Sequence, residues 1–416
     1  MYPLSIHTNP VRGTRDILPR EMELRDKLQE KILQIYRSHG FERIETPILE
    51  NLDLLMNSEG GENLKMLFTI LKRGEKLDVH EESTIKDLCD TGLRYDLTLP
   101  LSRFFANNKN ALEFPFKAIQ IDNVFRAERP QKGRFRSFKQ CDIDIIGEET
   151  QVAEIELIHT TAKALGEIGF KDFVVRINDR RILSSMITSA GFKPEDVSSI
   201  SIVLDKLDKI GQDGVAKELI EKGYNDQGVK DILHSFTTLS EDNLDKIEGD
   251  EGVKNSLLQV IRAARELSSG QYEIVFDPTL VRGMGYYTGQ IFEITYGPYG
   301  FSIAGGGRYD NMIGNISKES IPAVGFSIGF ERIITILLEE QCIAQEINKK
   351  VAFLYHPEEN YIDIIKKADE FRKNGYMVTT LIAKKKMNKQ INALKDSDYS
   401  YLFVYGKDEG LREIDN

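Results

Sequence analysis

Arginines, glutamines, aspartates and a single phenylalanine share alternate positions along one stretch, Phe116 to Gly147. It reads as two extended segments, KAIQIDNVFRAE and RFRSFKQCDIDIIG, joined by a short loop, ERPQKG. Side chains of a strand alternate between faces. The odd face collects Ile119, Ile121, Phe125, Phe135, Cys141, Ile143 and Ile145. The even face collects Gln120, Asp122, Arg126, Arg134, Arg136, Phe138, Gln140, Asp142 and Asp144. Planar guanidiniums gathered in this way suit phosphate or carboxylate, and a lone ring among polar groups suits stacking on a flat base. The competing reading is a solvated hairpin with incidental charges.

Other residues of chemical interest lie far away in sequence. Arg94-Tyr95-Asp96-Leu97-Thr98 forms a polar turn entering a helix with Pro100 in its first turn. Asp96 and Thr98 either cap that helix or, facing a pocket, offer a carboxylate and a hydroxyl to an ammonium group. Tyr286 and Tyr287 follow an Arg-Gly-Met-Gly run. Three consecutive glycines, Gly305 to Gly307, allow close backbone approach but do not match the dinucleotide fingerprint. Arg332 falls in the first turn of a helix, where a cation opposes the helix dipole, so a role outside the helix is open to it.

Several elements are required to position these groups. RGTRD, residues 12–16, precedes a helix whose Leu24, Leu28, Ile32, Ile35 and Tyr36 form one apolar stripe, with Gly40 as its stop. FERIETPILE reads as a strand whose Pro47 confines it to an edge or interface. Residues 51–92 carry a weaker pattern, compatible with a hairpin around a charged loop. A helix over 150–167 and the strand FKDFVVRIND follow. Short helical patterns broken by Gly and Asp then fill 179–261, as expected of an α-helical insertion. From about Asn348 the order is β-α-β-α-β, which suggests a small α/β domain with a parallel sheet. Its most basic cluster is Lys384-Lys385-Lys386 with Lys389.

Composition narrows the class. A chain of 416 residues accommodates two or three domains. A net charge of −11 argues against a purely electrostatic nucleic-acid binder, although not against a local patch. Cys89, Cys141 and Cys342 are far apart, and the six histidines are dispersed, so neither a disulfide framework nor a fixed metal site is expected. With no signal-peptide pattern and no apolar run of membrane-spanning length, a cytoplasmic location is expected.

Taken together, the chain resembles histidyl-tRNA synthetases, a class II aminoacyl-tRNA synthetase family. The helix–strand ending at Pro47 looks like motif 1, FRAERPQKGRFRSFKQCDIDIIG like motif 2 and GFSIGFERI like motif 3. LVRGMGYYTGQIFE and AGGGRYD resemble the two histidine signature peptides, and RYDLT and NDRRIL look closest to the eukaryotic-type branch. The resemblance implies an α+β catalytic domain on a mixed, mainly antiparallel sheet with flanking helices. Its two parts would span 1–178 and 262–342, separated by the insertion at 179–261, and 348–416 would be an anticodon-binding-like domain that ends early.

It also implies roles. Arg126, Arg134, Phe138 and Arg332 would bind ATP, with Arg126 at the α-phosphate and Phe138 on adenine. Asp96, Thr98, Arg126, Gln140, Asp144, Arg282, Tyr286 and Tyr287 would surround histidine, and Arg126 and Arg282 would be catalytic. ATP with Mg²⁺, L-histidine, tRNA(His) and a homodimer follow from the same resemblance. One departure is Gly285, where most members carry Asp. The alternative is a histidine-binding paralogue, such as the regulatory subunit of ATP phosphoribosyltransferase.

Overall fold

The structure, a computed structural model, describes residues 8–56, 66–130, 133–246, 249–281, 285–299, 302–340, 349–395 and 399–414. The chain divides into two compact units, Met1–Glu340 and Gln341–Asn416.

In the first unit, α1 (Pro19–Ser38) starts with a proline at the position where a missing N–H costs least. It buries Arg25, Leu28, Ile32 and Tyr36, and Gly40 follows at φ +80°. FERIETPILE is not one strand. It divides into β1 (Glu42–Arg43) and β2 (Leu49–Asn51), with Pro47, which cannot donate to a ladder, in the irregular backbone between them. After α2 (Leu52–Met56) come β3 (Phe68–Leu71), α3 (Ile85–Leu88) and β4 (Cys89–Leu93). Strands β2, β4 and β3 make a small antiparallel sheet. Thus the 51–92 stretch contains a β3–β4 pairing interrupted by short helical turns.

Helix α4 (Thr98–Asn108) follows, then β5 (Phe116–Phe125) and β6 (Ser137–Ile146). The hairpin pairs in register from Phe116↔Ile146 to Phe125↔Ser137. Its connection is longer than the ERPQKG loop expected, because the strands stop at Phe125 and resume only at Ser137. Beyond them lie α5 (Val152–Glu167) and β7 (Val174–Asp179). Helices α6 (Arg180–Ser189), α7 (Val197–Leu204), α8 (Leu207–Glu221), α9 (Asp226–Thr238) and α10 (Glu251–Ser268) occupy the helical stretch, the last running past residue 261. Then come β8 (Glu273–Phe276), β9 (Gln290–Thr295), β10 (Ser302–Arg308), α11 (Asp310–Ser317), β11 (Ala323–Gly329) and α12 (Phe330–Glu339).

Eight strands form one sheet in the order β1-β5-β6-β11-β10-β9-β7-β8. Only β1–β5 and β7–β8 pair in parallel, so the expected mixed, mainly antiparallel α+β architecture is present. The odd-numbered face of the hairpin, with Ile119, Ile121, Cys141, Ile143 and Ile145, packs with Leu28, Ile32 and Tyr36 of α1 and with Leu157 and Leu165 of α5. Burying a side chain of this size contributes about 1.5–3 kcal/mol, which fixes the parity and turns the even residues to the other face.

The second unit orders β12 (Lys350–Tyr355), α13 (Tyr361–Lys373), β13 (Met377–Ile382), α14 (Met387–Lys395) and β14 (Tyr401–Val404). Strand β12 pairs in parallel with both β13 and β14, and a short β15 (Arg412–Glu413) adds antiparallel to β14.

Candidate active site

The Arg94–Thr98 turn is held by side chains reaching its backbone. Gln120 Nε2 donates to the Leu97 carbonyl at 2.9 Å, and Arg126 Nε donates to the Tyr95 carbonyl at 2.9 Å. Arg94 is itself fully buried. Its Nε donates to Asn123 O at 2.9 Å, its Nη1 to Thr46 O at 2.7 Å, and its Nη2 lies 2.7 Å from Asp122 Oδ2. One guanidinium therefore ties the turn to the hairpin and to the segment before Pro47. Such a bond network locks a turn that would otherwise sample several conformations.

Above the even face of the sheet, a pocket is lined by Asp96, Thr98, Arg126, Gln140, Asp142, Asp144, Tyr286, Tyr287 and Tyr309, together with Gly305, Gly306, Gly325, Phe326 and Ser327. Seven of the residues expected around histidine meet here: Asp96, Thr98, Arg126, Gln140, Asp144, Tyr286 and Tyr287. The eighth, Arg282, lies outside the described residues. Phe138 adjoins through Arg126, whose guanidinium carbon is 5.1 Å from the ring centroid. Arg134 does not line the pocket; it is a half-exposed side chain 3.7 Å from Glu128. Arg332 sits beyond the pocket, with Nη1 donating to the carbonyl and hydroxyl of Ser302. It lies against the hairpin loop, since a Cβ on Gly133 would meet its Cγ at 4.0 Å.

Glycines make the close approaches possible. A Cβ on Gly325 would come within 2.0 Å of Asp144 Oδ1, and one on Gly306 within 2.0 Å of the Gly325 carbonyl. The glycine run of β10 thus serves strand-to-strand contact as well as the pocket wall. Tyr286 and Tyr287 are buried, their ring centroids 4.7 Å apart, and Tyr309 meets Tyr286 edge-on at 6.1 Å. Gly285 just before them is exposed.

The pocket is an acceptor-rich site. Asp96 Oδ1 accepts the Leu99 N–H at 3.3 Å, so the capping role is real, yet its Oδ2 is buried without a hydrogen-bond partner. Asp142 Oδ1, Asp144 Oδ2 and Gln140 Oε1 share that condition, while Gln140 Nε2 donates to Ser327 Oγ at 2.8 Å. Burial pushes the Asp96 carboxyl up to about 6, partly offset by the Leu99 N–H and Arg126. Burial pushes Asp144 up to about 7, partly offset by the Tyr309 hydroxyl. Burial, with Asp144 beside it, raises Asp142 well above the usual carboxylate range. Buried acceptors left unpaired are costly. A cation carrying several N–H donors removes that cost at three carboxylates together.

Asp142, Tyr309 and Ser327 were not among the residues expected at the site. Asp142 had a signal, since it shares the even face with Gln140 and Asp144. Tyr309 and Ser327 lie inside AGGGRYD and GFSIGFERI, two stretches the resemblance singled out, although neither residue was given a role there. Among the described residues no group of three or more His, Cys, Asp or Glu side chains is arranged to hold a metal ion. Cys89 and Cys141 are free and buried.

A family model described as histidyl-tRNA synthetase matches residues 13–333. A histidine–tRNA ligase of Leifsonia xyli is 44% identical over 349 residues, covering 79% of this chain and 80% of that protein. A probable histidine–tRNA ligase of Tropheryma whipplei is 40% identical, covering 95% of each chain. Among solved structures, the histidyl-tRNA synthetase of Nostoc sp. PCC 7120 superposes with a TM-score of 0.77 at 28% identity, covering 95% of this chain and 91% of the other. With more than half of its length matched by the family model and relatives above 30% identity across most of it, the chain belongs to the histidyl-tRNA synthetase family.

Proposed function

We propose that the acceptor-lined pocket seats the amino acid of a histidine–tRNA ligase. The observation that carries this reading is the set of buried, unpartnered oxygens on Asp96, Gln140, Asp142 and Asp144, an arrangement matched to an ammonium group and a ring N–H. The chain is an aminoacyl-tRNA ligase. In the first step a histidine carboxylate oxygen attacks the α-phosphorus of ATP. The new P–O bond gives histidyl-adenylate as the bond to pyrophosphate breaks. In the second step the 3′-terminal ribose hydroxyl of tRNA(His) attacks the acyl carbon and AMP leaves.

The substrate carboxylate is already ionised, so no side-chain nucleophile is needed. The protein's task is to neutralise charge that grows on the phosphoryl oxygens. Arg126 lines the pocket and its guanidinium carbon is 5.1 Å from the Phe138 ring centroid, which supports assigning it to the α-phosphate. Arg282 is assigned the role of the second guanidinium. Phe138 offers a ring for adenine, and Arg134 and Arg332, on and against the hairpin loop, would take the outer phosphates. Mg²⁺ bound to those phosphates would supply counter-charge. We also assign a homodimer and a cytoplasmic location; among the described residues no helix is long and apolar enough to cross a membrane. The regulatory-paralogue reading has less support, because the relatives above are named as ligases.

Histidine-dependent ATP–pyrophosphate exchange, followed by tRNA charging, is the test. Exchange with histidine alone among the twenty amino acids is expected, and exchange with none of them overturns the reading. Arg282→Ala should lower the exchange rate by roughly a hundredfold or more, as removal of a group that stabilises transition-state charge does. An unchanged rate removes Arg282 from the mechanism.

A further inference from the structure

The RGTRD segment at residues 12–16 has no part in the chemistry described so far, yet it lies against the hairpin loop. Gly13 O accepts the Arg136 backbone N–H at 2.7 Å, and Arg12 O accepts from Arg136 Nη1 at 3.3 Å. Gly13 has φ +88°, and a Cβ there would stand 2.6 Å from Pro130 Cγ and 2.9 Å from Arg136 Cγ. Only glycine fits that backbone and that gap. Two residues on, the Arg15 guanidinium lies over the Phe135 ring, 5.3 Å from its centroid.

Arg15 is also the outer member of a chain of alternating charges leading to α12. It forms a two-pronged pair with Glu21, one prong at 2.6 Å. Glu21 lies 3.4 Å from Arg25 Nη1. Arg25 pairs with both oxygens of Glu331, at 2.8 Å for Nη1, and is only 4% exposed. Arg15 itself approaches Glu331 at 3.7 Å. Glu331 adjoins Arg332 in sequence and also accepts the Lys139 backbone N–H of β6 at 3.4 Å. Lys139 in turn reaches Gln29 of α1 at 2.5 Å. So two bidentate pairs, Arg15–Glu21 and Arg25–Glu331, the geometry that gives guanidinium–carboxylate contacts their directionality, join the N-terminal segment, α1 and the start of α12. The same segment holds the loop through Arg12, Gly13 and Arg15.

We propose that residues 12–16 form a strap, with Arg15 as its positioning residue, that holds the 126–136 loop and Arg332 at the spacing needed to bind ATP. This rests on the assignment of ATP to that loop. Among the described residues, the strap's partners Pro130, Phe135, Arg136, Glu21 and Glu331 do not line the amino-acid pocket, so it acts on one substrate and not on the other.

The test is calorimetric binding of a non-hydrolysable ATP analogue and of L-histidine to the full chain, compared with Arg15→Ala and Arg15→Lys. Arg15 is 35% exposed on the surface of the unit, so the variants should melt within about 2 °C of the parent. Arg15→Ala is expected to weaken ATP-analogue binding roughly tenfold, a loss of about 1.4 kcal/mol, with histidine affinity changed less than about twofold. Arg15→Lys keeps the charge but not the two-pronged pair, and should fall between. Unchanged analogue affinity, or equal loss for both ligands, overturns the strap. A parent that binds both ligands but performs no exchange contradicts the ligase reading and leaves the strap standing on its own result.

Discussion

The Tyr309 hydroxyl donates a 2.6 Å hydrogen bond to Asp144 Oδ1, and both side chains are almost wholly buried. The phenol comes from the turn between β10 and α11 and the carboxylate from β6, and among the described residues Asp144 Oδ2 is left without a hydrogen-bond partner. Tyr309 therefore fixes which oxygen of Asp144 is available to a ligand.

Tyr309→Phe removes that bond and leaves a second buried carboxylate oxygen unpaired. A penalty of about 1–3 kcal/mol is expected for a buried group so treated, and part of it should appear as a higher KM for histidine. Exchange kinetics should show that KM rising roughly fivefold or more while the KM for ATP stays constant. Equal changes in the two constants would place Tyr309 outside the amino-acid site.

The raised carboxyls at Asp96, about 6, and Asp144, about 7, set a pH dependence. Below those values the groups are neutral and attract an ammonium less, so histidine binding should strengthen as pH rises from 5.5 to about 8. The stability sign is opposite. A carboxyl raised above its unfolded value contributes stability that is fully present below the unfolded value and is lost as pH rises through the folded one. Unliganded Asp144→Asn should consequently gain thermal stability relative to the parent between pH 5 and about 8. Its histidine affinity should also vary less with pH. Melting curves with and without histidine at several pH values read both effects; parallel curves for parent and variant would contradict the assignment.

Arg25 and Glu331 form a buried pair between α1 and α12. Removing one partner leaves the other buried charge with only a longer contact, Glu331 to Arg15 at 3.7 Å or Arg25 to Glu21 at 3.4 Å. Arg25→Met or Glu331→Leu alone should therefore each cost up to about 3 kcal/mol. Replacing both at once should cost clearly less than the sum of the two, because contacting groups do not add. Denaturant unfolding of the three variants measures this, and additive losses would show the two groups to be independent.

Much of the site was legible because of one parity. Apolar Ile119, Ile121, Ile143 and Ile145 had to face the core, which put Arg126, Phe138, Gln140 and Asp144 together on the other side. Asp142 was carried by the same parity and passed over. Tyr309 and Ser327 lay inside the quoted AGGGRYD and GFSIGFERI stretches, but their meeting with Asp144 and Gln140 depends on the pairing of β10 and β11 with strands far away in sequence. The length of the hairpin connection was misjudged for a related reason. The Arg126 N–H still reaches the Arg136 carbonyl, but Gly133, Phe135 and Arg136 also meet Arg332, Arg15 and Gly13, and such contacts leave no period to read. The break of FERIETPILE at Pro47 was half visible: proline confines the segment to an edge or interface, and β1 and β2 on either side of it are edge strands, but of two different sheets.

The register of β6 against β11 has one more consequence. Gln140, Asp142 and Asp144 stand opposite Gly329, Ser327 and Gly325, two residues apart on the same face. At about 3.4 Å per residue, Phe138 and Asp144 are separated by about 20 Å of nearly inextensible backbone. With adenine on Phe138 and histidine at Asp144, as proposed, that span of sheet would act as a ruler, favouring a compound long enough to meet both marks.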